Sequence, residues 1–326
     1  MSDPGPRSVR LEPADEFMHA NTGEPNFNES MYFNFFDPRR RVGGFLRLGN
    51  RPNEGHAETT VCLWEPDGSV RFHFLRPEIP GNDAFDAGGM RFEVKEPFER
   101  LRISYRGAAL HLREPLQMSD PRRAYASNPM RPVEVDLEIR GVGPMVGGER
   151  ARPASDHEQE FARGHYEQHH RATGRLRTGG EELDFDGLGL RDHSWGPRSW
   201  QAPAWYRWLT ANFSEDFGFM GSWVVSRDGS ELRAGFVQRG KQLVPVKHLE
   251  LETEFRGSER VHDRLQLRLD CADGSRLEVE GRVLSLIPLR NRRDGRTTRI
   301  SEGMTEWTLD DGRTGYGLSE YLDQVE

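Results

Sequence analysis

The sequence predicts an all-β protein built as two antiparallel barrels side by side. Three observations carry this. Short runs of alternating apolar and polar residues recur at regular spacing along most of the chain. They are punctuated by turn signals such as Glu65-Pro-Asp-Gly68, Arg227-Asp-Gly229, Ala272-Asp-Gly274 and Asp310-Asp-Gly312. No long segment shows the 3.6-residue period of an amphipathic helix. Many short strands joined by tight turns pack as closed or sandwiched antiparallel sheets, and a chain of 326 residues is long enough for two of them.

Residues 1–24 are polar and rich in Pro and Gly, and read as a flexible lead-in. In Glu29–Phe36, Tyr32, Asn34 and Phe36 share one face of a strand, and Met31, Phe33 and Phe35 share the other. Apolar groups on both faces predict a strand buried on both sides. Thr59–Trp64 and Val70–Leu75 form a hairpin across Pro66-Asp-Gly68. Met90–Val94 and Leu101–Tyr105 alternate in the same way, and Val133–Ile139 is apolar on one side and acidic on the other. Residues 141–157 read as a loop. The stretch 161–190 reads as two or three strands joined by Gly turns. Strands follow at Leu209–Phe213, Gly218–Val225, Leu232–Val237, His248–Phe255, Leu265–Cys271 and Leu277–Leu286, and the last hairpin pairs Met304–Leu309 with Gly315–Tyr321. The expected division is 1–24 lead-in, 25–187 first barrel and 188–326 second barrel.

Composition narrows the function. The formal charge is −8, from 53 acidic and 45 basic residues, which argues against a nucleic-acid partner because phosphate binding needs a basic field. Cys62 and Cys271 lie far apart inside apolar runs and read as reduced core residues of a cytoplasmic protein. The N-terminus lacks a hydrophobic signal region, and no apolar run approaches the ~20 residues of a membrane span. No Gly-x-Gly-x-x-Gly, Walker loop or Cys-x-x-Cys stands in a fitting context, so no nucleotide cofactor and no structural zinc are expected.

The most unusual stretch is Arg191–Trp208, RDHSWGPRSWQAPAWYRW, which holds four of the seven Trp. It combines an imidazole, a carboxylate, several guanidinium groups and several π-faces, and reads as the wall of a ligand pocket; an aromatic junction between subdomains is the blander reading. In an extended chain, His193 and Trp195 point one way and Asp192 and Ser194 the other. Gly196-Pro197 predicts a bend. Histidine relays protons near neutral pH and an adjacent carboxylate orients or supplies them, so Asp192, His193 and Trp195 are the expected catalytic residues. Arg198, Trp200, Trp205, Tyr206 and Trp208, with Tyr32 and Asn212 from flanking strands, are the expected substrate-binding residues. A serine-hydrolase reading of Ser194 lacks the Gly-x-Ser-x-Gly elbow. His165, Glu167 and His169 share one strand face with metal-ligand spacing, but such a set is more often a solvated polar face, and no metal is expected. Arg290, Arg292, Arg293, Arg296 and Arg299 read as a solvated loop.

The string Gly189-Leu-Arg-Asp-His-Ser-Trp-Gly196, in this β-rich setting, resembles the bacterial carotenoid 1,2-hydratase (hydroxyneurosporene synthase) and AttH-like superfamily. The resemblance implies two lipocalin-like barrels in tandem, with His193 and Trp195 matching the family's His-x-Trp. Fungal kievitone hydratase and some lipocalin-like pericyclases resemble the same architecture. The hydratases place a Tyr-x-Asp further along the chain, whereas this sequence reads Asp216-Phe-Gly-Phe-Met-Gly-Ser222. The departure argues against carotenoid hydration and leaves Asp192, Glu215 and Asp216 as rival proton donors. The expectation is a cofactor-free acid/base enzyme (hydratase, dehydratase, isomerase or cyclase) acting on a hydrophobic isoprenoid-like or polyketide-like small molecule. The alternatives are a noncatalytic lipocalin-like carrier and a metal enzyme using His165, Glu167 and His169.

Overall fold

A computed structural model of the chain describes residues 9–150, 162–257, 260–293 and 295–325. The expected lead-in at 1–8, the loop residues 151–157 with His157, and position 294 lie outside the described residues. Among those described, strand is the dominant element and every pairing is antiparallel. The strands Phe27–Asp37, Val42–Arg51, His56–Trp64, Val70–Leu75, Arg100–Leu112, Met130–Gly141, Gly164–Thr178 and Glu181–Pro197 pair in turn, and the last returns to the first. Their ring is the first barrel. Val9–Arg10 and Val146–Arg150 extend it beside Gly164–Thr178, and Phe85–Ala87 with Met90–Glu96 extend it beside Arg100–Leu112. The second barrel closes over Pro203–Ser214, Phe217–Ser226, Glu231–Arg239, Gln242–Arg256, Val261–Cys271, Arg276–Arg293, Arg296–Leu309 and Thr314–Val325. The two lipocalin-like barrels expected from the sequence are therefore present.

The pleat sorts the side chains. In the first barrel Met31, Phe33, Phe35, Leu46, Leu48 and Ile103 fill the interior, and in the second Leu209, Phe219, Leu267 and Trp307 do so. Both interiors are packed with side chains, as small barrels are. The barrels meet through outward faces, where Tyr32, Phe36, Phe45, Trp64 and Phe72 pack against Ile287, Met304 and Leu318. This explains why Phe27–Asp37 is buried throughout: one face belongs to a barrel core and the other to the seam.

Several expectations change. The strand Glu181–Pro197 runs through the anticipated boundary at 187/188, and the change of barrel falls between Pro197 and Pro203. Within 9–24 most residues are exposed, but Asp15 and Glu16 are buried and anchor the segment to the first barrel. The arginine-rich segment is a hairpin of two long strands rather than a loop. A 3-10 turn at Pro115–Ser119 leads into a short helix, Pro121–Ser127, that no sequence period announced. Asp120 caps it by accepting the Arg123 N–H, and Pro121 supplies the first-turn geometry. Cys62 and Cys271 are buried and free. No helix among the described residues is long and apolar enough to cross a membrane.

Candidate active site

The strand Glu181–Pro197 is the wall between two regions. Its odd positions from Arg191 to Trp195 point into the end of the first barrel, and its even positions point toward the second barrel.

The inward set is closed. His193 is fully buried and its Nε2 lies 2.6 Å from Glu29 Oε1. His19 Nδ1 reaches the same oxygen at 2.9 Å, and its ring stacks on Trp195 with centroids 3.9 Å apart. Arg191 makes a paired contact with Glu16 at 2.6 and 3.0 Å and two more with Gln168 Oε1. Tyr166 donates to Glu16 at 2.7 Å. Burial alone would raise the Glu29 pKa, but hydrogen bonds and charge from His19 and His193 outweigh it and bring the carboxyl to about 2. Gly164 faces Trp195 across the ladder, and a Cβ there would come within 2.1 Å of the indole. His193 and Trp195 are therefore packed into a hydrogen-bonded plug rather than turned to a ligand cavity. Among the described residues, His19, Glu29 and His193 also form a group able to hold a metal ion, with ligand atoms within 4.8 Å of one another; here the imidazoles hydrogen-bond directly to the carboxylate between them.

The outward set opens onto a cavity of about 1300 Å³ between the barrels. Asp192, Tyr32, Arg198, Trp200, Tyr206 and Trp208 all line it. His193, Trp195, Trp205 and Asn212 do not. Trp205 points to the opposite side of its strand from Tyr206 and packs on Trp223, with centroids 5.1 Å apart. Asn212 shares the face of Tyr206 and Trp208 but is buried away from the lining. Glu215 is held by Arg140 and Arg171 at 2.8 and 2.6 Å, outside the cavity.

Two groups of acids face this space. Glu167 and Asp192 are direct partners across the ladder, and His165 lies 3.8 and 3.9 Å from them. The Trp208 indole donates to Glu167 at 2.8 Å. Burial, with Asp192 beside it, pushes Glu167 up to about 7 against the pull of His165 and the indole N–H. Burial lowers His165, but Asp192 and Glu167 more than compensate and raise it. His169 shares their strand face but is spent on Gln238 of the second barrel at 2.9 Å, so it does not complete a metal set with them.

Glu302 and Glu320 form the second group, facing each other across the ladder. Burial first, and then each other's proximity, holds Glu302 far above the usual carboxyl range. Burial also raises Glu320, against hydrogen bonds from Tyr206 and Glu302. Two buried carboxyls side by side cannot both ionise, so one stays protonated. Arg47 opposes the shift at both. Glu302 Oε2 and the Tyr32 hydroxyl are buried with no hydrogen-bond partner among the described residues. Sequence reasoning missed this pair. A signal was present: Glu302 interrupts the apolar face of Ile300 and Met304, and Glu320 that of Leu318 and Leu322.

Apolar wall comes from Phe45, Phe72, Phe74, Met118, Leu289 and Ile300, and charged wall from Arg47, Glu58, Arg76 and Arg198. A roomy space bordered by a neutral carboxylic acid and a near-neutral acid/base group can donate and accept protons on a guest.

Three solved structures share the fold. A protein assigned as AttH from Nitrosomonas europaea matches with a TM-score of 0.67 at 15% identity, covering 99% of each chain. Kievitone hydratase from Nectria haematococca matches at 0.61 and 11% identity, over 98% of this chain and 94% of that one. CghA with Sch210972 matches at 0.55 and 15% identity, over 93% of this chain and 89% of that one. At these identities the likeness is one of fold. No protein of curated function matches in sequence. A family described as "Domain of unknown function (DUF7064)" matches residues 12–325, and the chain belongs to that family.

Proposed function

We propose that the protein is an acid/base enzyme of the hydratase, dehydratase, isomerase or cyclase type, acting without a cofactor on a hydrophobic small molecule in the inter-barrel cavity. The observation that carries this is the Glu302–Glu320 pair, two facing buried carboxyls on the cavity wall of which one is kept neutral. The similarity in fold to kievitone hydratase and CghA supports the same class.

In the hydration sense, the Glu302 proton passes to one alkene carbon, forming a C–H bond and leaving a cation on the other. The faces of Trp208 and Tyr32 stabilise that cation. Water adds to it and releases a proton to the Glu167–His165–Asp192 group, and proton exchange with water returns both acids to their starting states. Loss of a proton from an adjacent carbon instead gives isomerisation, and running the steps backwards gives dehydration. In this proposal Asp192 takes a catalytic role, and His193 and Trp195 stand behind the wall as part of the closed plug.

The test is incubation of the purified protein with a panel of prenyl alcohols, terpenoid alkenes and polyenes in deuterated water, read by mass spectrometry. The wild type is expected to deuterate or hydrate at least one member, and Glu302→Gln to lose 10²-fold or more of that rate (order of magnitude for a general acid). Binding without any mass change would favour a noncatalytic carrier. Full turnover in both Glu302→Gln and Glu320→Gln would remove the assigned chemistry.

A further inference from the structure

We infer that the cavity recognises a carboxylate on its apolar ligand, and that the Arg47 guanidinium receives it. The inference rests on the reading of the cavity as the substrate site and names the substrate class: an apolar body ending in an acid.

Arg47 lies opposite Tyr32 in the ladder and lines the cavity. Its side chain is only 12% exposed. A guanidinium carries five N–H donors, yet the polar contacts of Arg47 are long, 3.4 Å to Asn28 Oδ1 and 3.5 Å to Glu58 Oε2. Neither is a full charge-assisted hydrogen bond, which lies nearer 2.8 Å. Glu58 is no private partner, because Arg51 and Arg76 approach the same carboxylate at 3.4 and 3.3 Å. Arg51 has a closer partner in Glu54 at 2.9 Å and Arg76 is half exposed, so Arg47 is the one of the three that is buried with only long contacts, where buried charge is normally paired closely. Burial pushes the Arg47 pKa down, and Arg51 adds to the effect.

The position is built. Gly49 sits two residues along the same strand face, and a Cβ there would come within 2.9 Å of the Arg47 guanidinium. The bare glycine lets the group lie back over the sheet. Trp200 lies beside it, with the Arg47 and Arg198 guanidinium carbons each 5.4 Å from the indole. The indole holds the Arg47 plane by cation–π attraction, a contact that uses the face of the guanidinium and not its N–H edge. A smaller space of about 270 Å³ adjoins this end and shares Glu58, Arg76, Arg198 and Trp200 with the main cavity. Phe72, Phe74, Met118 and Leu289 supply wall for the apolar body. A carboxylate at this end would accept two parallel N–H bonds from Arg47.

The experiment uses three probes of one shape: all-trans-retinoate, all-trans-retinol and methyl retinoate, titrated into the full chain and read by quenching of tryptophan fluorescence. Retinoate is expected to bind on the order of tenfold tighter than the other two, the scale of a charge-assisted pair. In Arg47→Gln the retinoate-to-retinol ratio should fall close to one, and Arg47→Lys should keep part of it. Equal affinity of the three probes in the wild type overturns the inference while leaving the cavity reading standing. So does an undiminished ratio in Arg47→Gln with an unchanged melting curve. Should Arg47→Gln fail to fold, the wild-type comparison alone decides. Failure of all three probes to bind removes the cavity reading, and this inference with it.

Discussion

One strand carries two regions of opposite character. On the inner side of Glu181–Pro197, Arg191, His193 and Trp195 close the end of a filled barrel, and every charge there has a short partner. On the outer side, Asp192 faces a cavity of mixed apolar and charged wall, where Glu302 Oε2 is buried with no partner among the described residues. The two carboxyls beside that strand show the difference most directly. Glu29, on the inner side, is drawn down to about 2, and Glu167, on the outer side, is pushed up to about 7. Satisfied charges stabilise a fold; carboxyls left protonated and unsatisfied are the ones with a proton to give. The conspicuous imidazole belongs to the first kind.

The comparison can be broken most forcefully at Arg191. Arg191→Met leaves Glu16 buried without its counter-charge, and a loss of about 3–5 kcal/mol in chemical denaturation is expected. A loss below 1 kcal/mol would mean the inner side is not the closed network described. His193→Ala should act in the same direction, through stability.

The pH dependence should differ in sign between the two sides. Glu29 is depressed in the folded state from an ordinary 4.5 to about 2. Its contribution is fully present above pH 4.5 and is lost as pH falls through about 2, worth on the order of 3 kcal/mol. Glu167 is raised from 4.5 to about 7. Its contribution is fully present below pH 4.5 and is lost as pH rises through about 7, on a similar order of 3 kcal/mol. Melting curves across pH 2–8 on Glu29→Gln and Glu167→Gln check this. The first variant should flatten the acid limb and the second the limb between 4.5 and 7. Two variants with the same profile would erase the distinction.

The finest probe is Trp208→Phe. It removes the indole N–H that Glu167 accepts at 2.8 Å, so the Glu167 carboxyl should titrate still higher. The cost to its ionised form is about 1.5–3 kcal/mol, read by NMR titration of the labelled glutamate. An unchanged titration would show that the indole does not bond the carboxylate in solution.

Much of the fold was legible because a strand's period of two survives in the sequence wherever one face is wet or both are apolar. The double-sided burial of Phe27–Asp37 could be read from Met31, Phe33 and Phe35 against Tyr32 and Phe36, and the split of His193 and Trp195 from Asp192 and Ser194 follows from the same alternation. Tyr32, Arg198, Trp200, Tyr206 and Trp208, singled out by their chemistry, line the cavity. Helix Pro121–Ser127 was hidden because two turns are too short to show a period.

What the sequence by itself determined was the strand pattern, the turns and the pairing of residues on faces, since these depend only on neighbours along the chain. Which face meets a core and which meets an empty space was decided by tertiary structure. That choice depends on how each sheet closes and on where the second barrel lands. It turned Glu302, Glu320 and Arg47, which as isolated letters resemble ordinary solvated strand residues, into buried groups with altered protonation, because desolvation is a property of the enclosure and not of the side chain.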